Sequence, residues 1–163
     1  MMKNILTYVT LLLLIVLQST ILNGIEVLHI MPNIILVFVV CYSMYAEPVK
    51  AVIVSIVAGL VTDILQSHHV GLTALMLMFI SLALSVMCSD YIRSNLFTVV
   101  IAVIASTLIF ESVYGILVYV LFNKMTLGYM MKVVLLETVY NVVVSFVLSW
   151  WAKYLAEDEI RSF

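Results

Sequence analysis

The sequence predicts an all-α integral membrane protein, a single bundle of six transmembrane helices, and three observations predict it. Of its 163 residues 66% are hydrophobic and only 10% are charged, and the mean hydropathy of +1.27 is far above that of a soluble domain. Several apolar runs reach roughly 18 residues, enough to cross about 30 Å of hydrocarbon at about 1.5 Å per residue. Runs such as LTYVTLLLLIVL and VVIAVIASTLIF do not alternate polar with apolar positions, as the strands of a membrane barrel would.

Cutting the chain where charge, Pro and Gly gather gives six segments in one domain over residues 1–163: Asn4 to Leu22, Asn33 to Ala46, Val49 to Leu65, Gly71 to Cys88, Asn95 to Phe122 and Val133 to Tyr154. The second is short for a crossing and spans only if it begins before Pro32, near Leu28; otherwise the count is five. Glu47, Pro48 and Lys50 make one tight polar turn, and Ser89, Asp90, Arg93 and Asn95 make another.

Basic residues near helix ends are retained on the cytoplasmic side, so they set orientation. With six crossings and the N-terminus inside, Lys3, Lys50, Arg93, Lys153 and Arg161 fall inside, while Lys124 and Lys132 fall outside. Both termini are then cytoplasmic. Trp150, Trp151 and Tyr154 close the last helix as an interfacial belt, and Glu157, Asp158 and Glu159 follow as a short acidic tail. Lys3 ahead of an apolar stretch imitates a secretory signal, but the run is long and lacks an A-x-A cleavage site, so it reads as a retained helix. Cys41 and Cys88 lie toward cytoplasmic helix ends, where thiols stay reduced and pack as small apolar groups.

Ionisable groups at membrane depth are the informative ones, since a charge there costs several kcal/mol unless it meets a cavity or a partner. Asp63, Glu111 and Glu137 qualify, and each heads a stripe at four-residue spacing. Ser55, Gly59 and Asp63 share one helical face; so do Thr107, Glu111 and Gly115, with Tyr114 beside them, and Glu137, Asn141, Ser145 and Ser149. These faces should point into the bundle or at a partner, and small residues in them allow close helix approach. In the predicted topology all three acids fall in the outer half. An acidic concavity opening outward is expected, with Lys132, His68 and His69 at its mouth. Against this stands the plainer reading, that such stripes only make interhelical hydrogen bonds of about 0.6 kcal/mol each.

No enzyme pattern is present. Adjacent histidines point about 100 degrees apart on a helix, which does not match the shared face of H-E-x-x-H. A G-x-S-x-G elbow, a phosphate loop and a second membrane-embedded aspartate are also missing, and no catalytic residue, metal, cofactor or nucleic-acid partner is expected. A complete secondary transporter would be larger and would show paired broken helices. A binding subunit of a transporter and a scaffold receiving partner helices both stay open.

The stretch GLVTDILQSHHVGLTAL, residues 59–75, carries a likeness. Together with the Lys-bearing start, Pro32 and Asn33 before IILVFVV, and the turn of Glu47, Pro48 and Lys50, it resembles the family of rod shape-determining proteins called MreD. In that family a G-x-x-x-D is followed after about seven residues by a glycine turn into the next helix; here the positions are Gly59, Asp63, Val70, Gly71, Leu72, Thr73 and Ala74. Gln66, Ser67, His68 and His69 stand where the family more often has a Ser-Gly-rich turn, which argues against a shared role for the histidines.

The resemblance implies a non-enzymatic, multi-pass protein of the bacterial inner membrane that pairs with MreC. With MreB, RodA and a class B penicillin-binding protein it would organise lateral peptidoglycan synthesis and maintain rod shape. It also implies a fold similar to the substrate-binding subunits of energy-coupling-factor transporters, whose ligands enter from the outer face. The expected mechanism is assembly: the bundle holds a partner helix and a second copy of itself, surrounded by membrane lipid. Gly59, Asp63, Glu111, Tyr114, Glu137 and Asn141 are the candidates for that contact or for a polar network behind it. The alternative is a small-molecule-binding membrane subunit of a transporter of that type.

Overall fold

The computed structural model describes residues 2–20, 30–66, 71–87, 95–122 and 127–160, and within them the secondary structure is six helices with no sheet. They are α1 (Met2–Thr20), α2 (Ile34–Tyr45), α3 (Pro48–Gln66), α4 (Leu72–Met87), α5 (Leu96–Phe122) and α6 (Leu127–Ile160). His68, His69, Cys88, Asp90, Arg93, Lys124 and Arg161 lie outside the described residues.

Side-chain contacts fix the helix directions. Gln18 near the end of α1 meets Ile35 at the start of α2, while Lys3 at the other end of α1 lies over the Tyr154 ring of α6. Asp63 of α3 reaches Gly71 ahead of α4, Ser43 of α2 meets Ser81 of α4, and Asn141 of α6 meets Thr107 of α5. Helices α1, α3 and α5 therefore run one way, and α2, α4 and α6 the other.

At the centre stands α2. Its sequence, IILVFVVCYSMY, is apolar all round, the pattern of a helix with no solvent-facing side, and all twelve residues are buried. It touches every other helix. At about 1.5 Å per residue it is only about 18 Å long. Its bounds agree with the segment expected from Asn33 to Ala46 and not with the longer start near Leu28 that a full crossing would require. The helix starts after Pro32 and Asn33, because Pro disfavours helical backbone in the residue before it and Asn33 caps the first turn, its Oδ1 accepting from Leu36 N–H at 3.1 Å. At the other end the Ala46 N–H donates to Tyr42 O at 2.8 Å before the chain turns extended. Pro48 then opens α3, as the first helical position allows, and the exposed pair Lys50 Nζ to Glu47 Oε2 at 3.3 Å adds little beyond fixing the turn.

Three of the helices contain stretches long and apolar enough to cross a membrane: Pro48–Leu65, Leu96–Leu117 and Met130–Ala156. Helix α6 exceeds the segment expected from Val133 to Tyr154, running 34 residues, or about 51 Å. The apolar stretch sets what lies in lipid, but Leu127 before it and Glu157 and Glu159 after it are good helix formers and prolong the helix. The core gathers around α2: Phe38, Leu36, Val37, Met44 and Cys41 are enclosed, with Ile15 of α1, Leu77 of α4 and Val103 of α5 against them.

Candidate functional site

All three polar stripes turn inward. Ser55, Asp63, Thr107 and Asn141 are fully enclosed, Gly59, Gly115, Glu137, Ser145 and Ser149 are buried, and Glu111 and Tyr114 are half-buried. In a lipid setting a polar group on the outside would go unsatisfied, so the same spacing that makes a stripe also makes it internal.

The first stripe builds the α3–α4 corner. Gly59 lies directly beneath Ala74: a Cβ there would stand 2.3 Å from Ala74 Cα and 2.6 Å from its backbone nitrogen, so only glycine permits the crossing. One turn on, the Asp63 carboxylate accepts from Gly71 N–H at 2.8 Å and from Ala74 N–H at 3.3 Å. It thus caps the N-terminus of α4, whose first N–H groups have no partner within the helix. Gly71 supplies the bend with φ +100, a backbone state that other residues reach only with strain. The spacing between Gly59, Asp63, Gly71 and Ala74 is accounted for atom by atom.

The third stripe serves α2. A short helix that begins inside the bundle exposes N–H groups that no water can satisfy. Asn141, at the middle of α6, accepts the Asn33 N–H on its Oδ1 at 2.8 Å and donates its Nδ2 to Thr107 Oγ1 of α5 at 3.1 Å. Gln18 of α1 accepts the Ile35 N–H on Oε1 at 3.2 Å. Two helices, α6 and α1, therefore anchor one helix start, and α5 braces Asn141.

Beside that start is a cavity of about 250 Å³. Gln18, Pro32, Asn33, Thr62, Thr73, Phe110, Tyr114 and the two carboxyls of Glu111 and Glu137 line it. Those carboxyls meet in side-chain hydrogen-bonding contact, and Asn141 and Asn33 reach Glu137 as well. The positive end of the α2 dipole points the same way, which favours acidic groups there. The Phe110 and Tyr114 rings stack with centroids 6.0 Å apart and 5° between planes. Gly115, one residue on, accepts the side chain of Met130 where a Cβ would come within 2.9 Å of it.

The expected gathering of three acids around one concavity needs a correction. Glu111 and Glu137 line the cavity, but Asp63 does not; its carboxylate is turned to the start of α4, although it stays within electrostatic reach of Tyr114. Asp63 is drawn away because it accepts from the first N–H groups of α4, for which no other side-chain acceptor is seen among the described residues. Lys132 is exposed on α6 and lines no part of the cavity. Sequence reasoning passed over Gln18 and named Asn33 and Thr73 for the family likeness, not as site residues. Asn33 before an apolar run carried an N-cap signal. Gln18 had a signal too, as an amide deep in an otherwise apolar helix. Among the described residues no group of three or more His, Cys, Asp or Glu could hold a metal ion.

The description of a protein family, rod shape-determining protein MreD, matches residues 2–157. No curated protein and no solved structure matches the chain. The match covers nearly the whole bundle, including the α3–α4 corner and the anchored start of α2, and the chain belongs to the MreD family of rod shape-determining membrane proteins.

Proposed function

We propose that the chain carries out the rod-shape role that its family membership implies as a non-enzymatic scaffold of the cell-elongation machinery in the bacterial inner membrane. In this reading it pairs with MreC, sits with a second copy of itself, and links MreB to RodA and a class B penicillin-binding protein. One observation carries the scaffold reading: the polar stripes serve the bundle's own backbone and line a partly open cavity. The exterior keeps large apolar side chains such as Ile64, Phe79, Phe97, Val143 and Val147 for lipid and partner helices.

Six crossings with both termini in the cytoplasm fit this reading. Lys3 Nζ lies 5.1 Å from the centre of the Tyr154 ring, and Trp151 Nε1 donates to Thr10 Oγ1 at 3.2 Å, so the start of α1 and the end of α6 belong to one side. The deciding experiment is copurification of the membrane-extracted chain with MreC, together with cell shape in a strain that depends on the chain. Apolar-to-charged changes on the exterior, Val143→Glu or Phe79→Glu, should abolish one or both if partner helices dock there. If Asp63→Asn, Glu111→Gln and Glu137→Gln combined leave both unchanged, the acids have no part in partner contact.

The cavity favours a second reading, a small-molecule-binding subunit of an energy-coupling-factor type transporter, with a similar fold. That reading requires copurification with an ATPase module rather than with MreC.

A further inference from the structure

Two hydrogen-bonded carboxyls, Glu137 buried and Glu111 half-buried, with no cation lining the space beside them among the described residues, are the unusual feature of the cavity. Glu137 is 7% exposed, and among the described residues no Lys, Arg or His lines the space that it shares with Glu111. On the α4 side the Thr73 hydroxyl, 8% exposed, has no hydrogen-bond partner among the described residues. The amide of Gln18, 7% exposed, uses its oxygen on Ile35 and has no bond from its nitrogen among the described residues. Leaving a buried polar group unmatched costs about 1–3 kcal/mol, so these two groups aimed at one cavity point to an occupant.

We propose that the cavity binds a small molecule through a primary ammonium group. The donors and acceptors match. An ammonium offers three N–H donors, and the carboxyls of Glu111 and Glu137 and the hydroxyl of Thr73 each present an oxygen acceptor, from α5, α6 and α4. The stacked rings of Phe110 and Tyr114 add a wall suited to a cation. The free Gln18 amide N–H then takes an oxygen of the same molecule, such as a hydroxyl or ester oxygen, which makes an amino alcohol the minimal fit. At about 250 Å³ the space is below the range of drug-sized ligands and suits a compact molecule or a single headgroup. Two carboxyls are a sparse donor set for a metal ion, which would want more oxygen ligands. The site is a property of the chain alone and does not depend on which partners it assembles with.

The ammonium has two sources, a free amine or the headgroup of an amine-bearing lipid, and one experiment separates them. The full chain is placed in nanodiscs of phosphatidylglycerol, and its thermal unfolding is followed while ethanolamine is titrated at constant ionic strength. Tetramethylammonium, which has no N–H, serves as control. The expected result is a saturable rise of about 2 °C or more with ethanolamine and none with tetramethylammonium. For a lipid source, the rise instead appears when phosphatidylethanolamine replaces part of the phosphatidylglycerol, and added ethanolamine then adds nothing. In either case Glu111→Gln with Glu137→Gln should remove the response, and Thr73→Val, which keeps the volume, should weaken it at least about threefold. No rise from either amine in the unaltered chain overturns the proposal. So does an equal rise with tetramethylammonium, or a response that survives in the double variant.

Discussion

Gly59 and Ala74 are in backbone contact, so close that a Cβ on Gly59 would fall 2.3 Å from the Ala74 Cα. The α3–α4 pair can cross there only because one partner lacks a side chain. Gly59→Ala must push the two backbones apart, at a cost of about 1–3 kcal/mol or more from overpacking. Thermal unfolding in detergent should show a lower midpoint, and Gly59→Leu should leave no folded chain to purify.

Asp63 separates charge from hydrogen-bond acceptance. Asp63→Asn keeps an oxygen for the Gly71 and Ala74 N–H groups and should cost about 1 kcal/mol. Asp63→Leu leaves both N–H groups without that acceptor and should cost about 2 kcal/mol or more. Unfolding midpoints of the two variants check the order. An equal loss in both would mean that Asp63 acts through its charge.

Gly71 has φ +100 and open space where a Cβ would go, so any loss on substitution is purely conformational. Gly71→Ala should destabilise by about 1–3 kcal/mol. Limited proteolysis at the α3–α4 turn, compared between the variant and the unaltered chain, reads this directly.

Asn141 joins α6 to the start of α2 and to α5. Asn141→Leu fills a similar volume but strips acceptor and donor together, and should lower stability by about 2–4 kcal/mol. Asn141→Asp keeps the acceptor for Asn33 N–H but loses the donor to Thr107 and sets a further acid beside Glu137. Both variants should melt below the unaltered chain, while Thr107→Val, which loses only the single contact, should shift the midpoint by a small part of that.

Trp151→Phe tests the contact between the ends of the chain. It removes the Nε1 bond to Thr10 and keeps most of the ring, so a loss near 0.6 kcal/mol, roughly the average for a hydrogen bond between membrane helices, is expected. A double-mutant cycle with Thr10→Val measures it.

Much of the fold was readable because lipid imposes simple rules. The bounds expected for the third, fourth and fifth helices agree with Pro48–Gln66, Leu72–Met87 and Leu96–Phe122 to within a residue or so, since Pro48, Gly71 and Asn95 interrupt apolar runs with unambiguous punctuation. The grouping of the polar residues into stripes was readable for the same reason, and of the two directions open to them, inward or at a partner, the structure shows the first. The end of α6 was not, because helix propensity there continues past the apolar stretch that marks the membrane. Nor was the role of α2, whose uniform hydrophobicity says that it is buried but not which elements surround it.

For the site, four-residue spacing alone put Gly59 with Asp63, Glu111 with Gly115 and Glu137 with Asn141, since residues one turn apart share a face. Sequence by itself therefore determined the class of protein and which side chains share a helix face, while it left the helix count at six or five and the faces turned either inward or at a partner. Only the tertiary structure decided what they meet. Asp63 parted from the other two acids because an unsatisfied helix start lay within its reach, and Gln18, Asn33 and Thr73 joined Glu111 and Glu137 although they are far apart along the chain. The physical reason is that periodicity sets direction around one helix axis. Contact between helices depends on where each one starts, and in this bundle that is set by capping bonds and close glycine crossings.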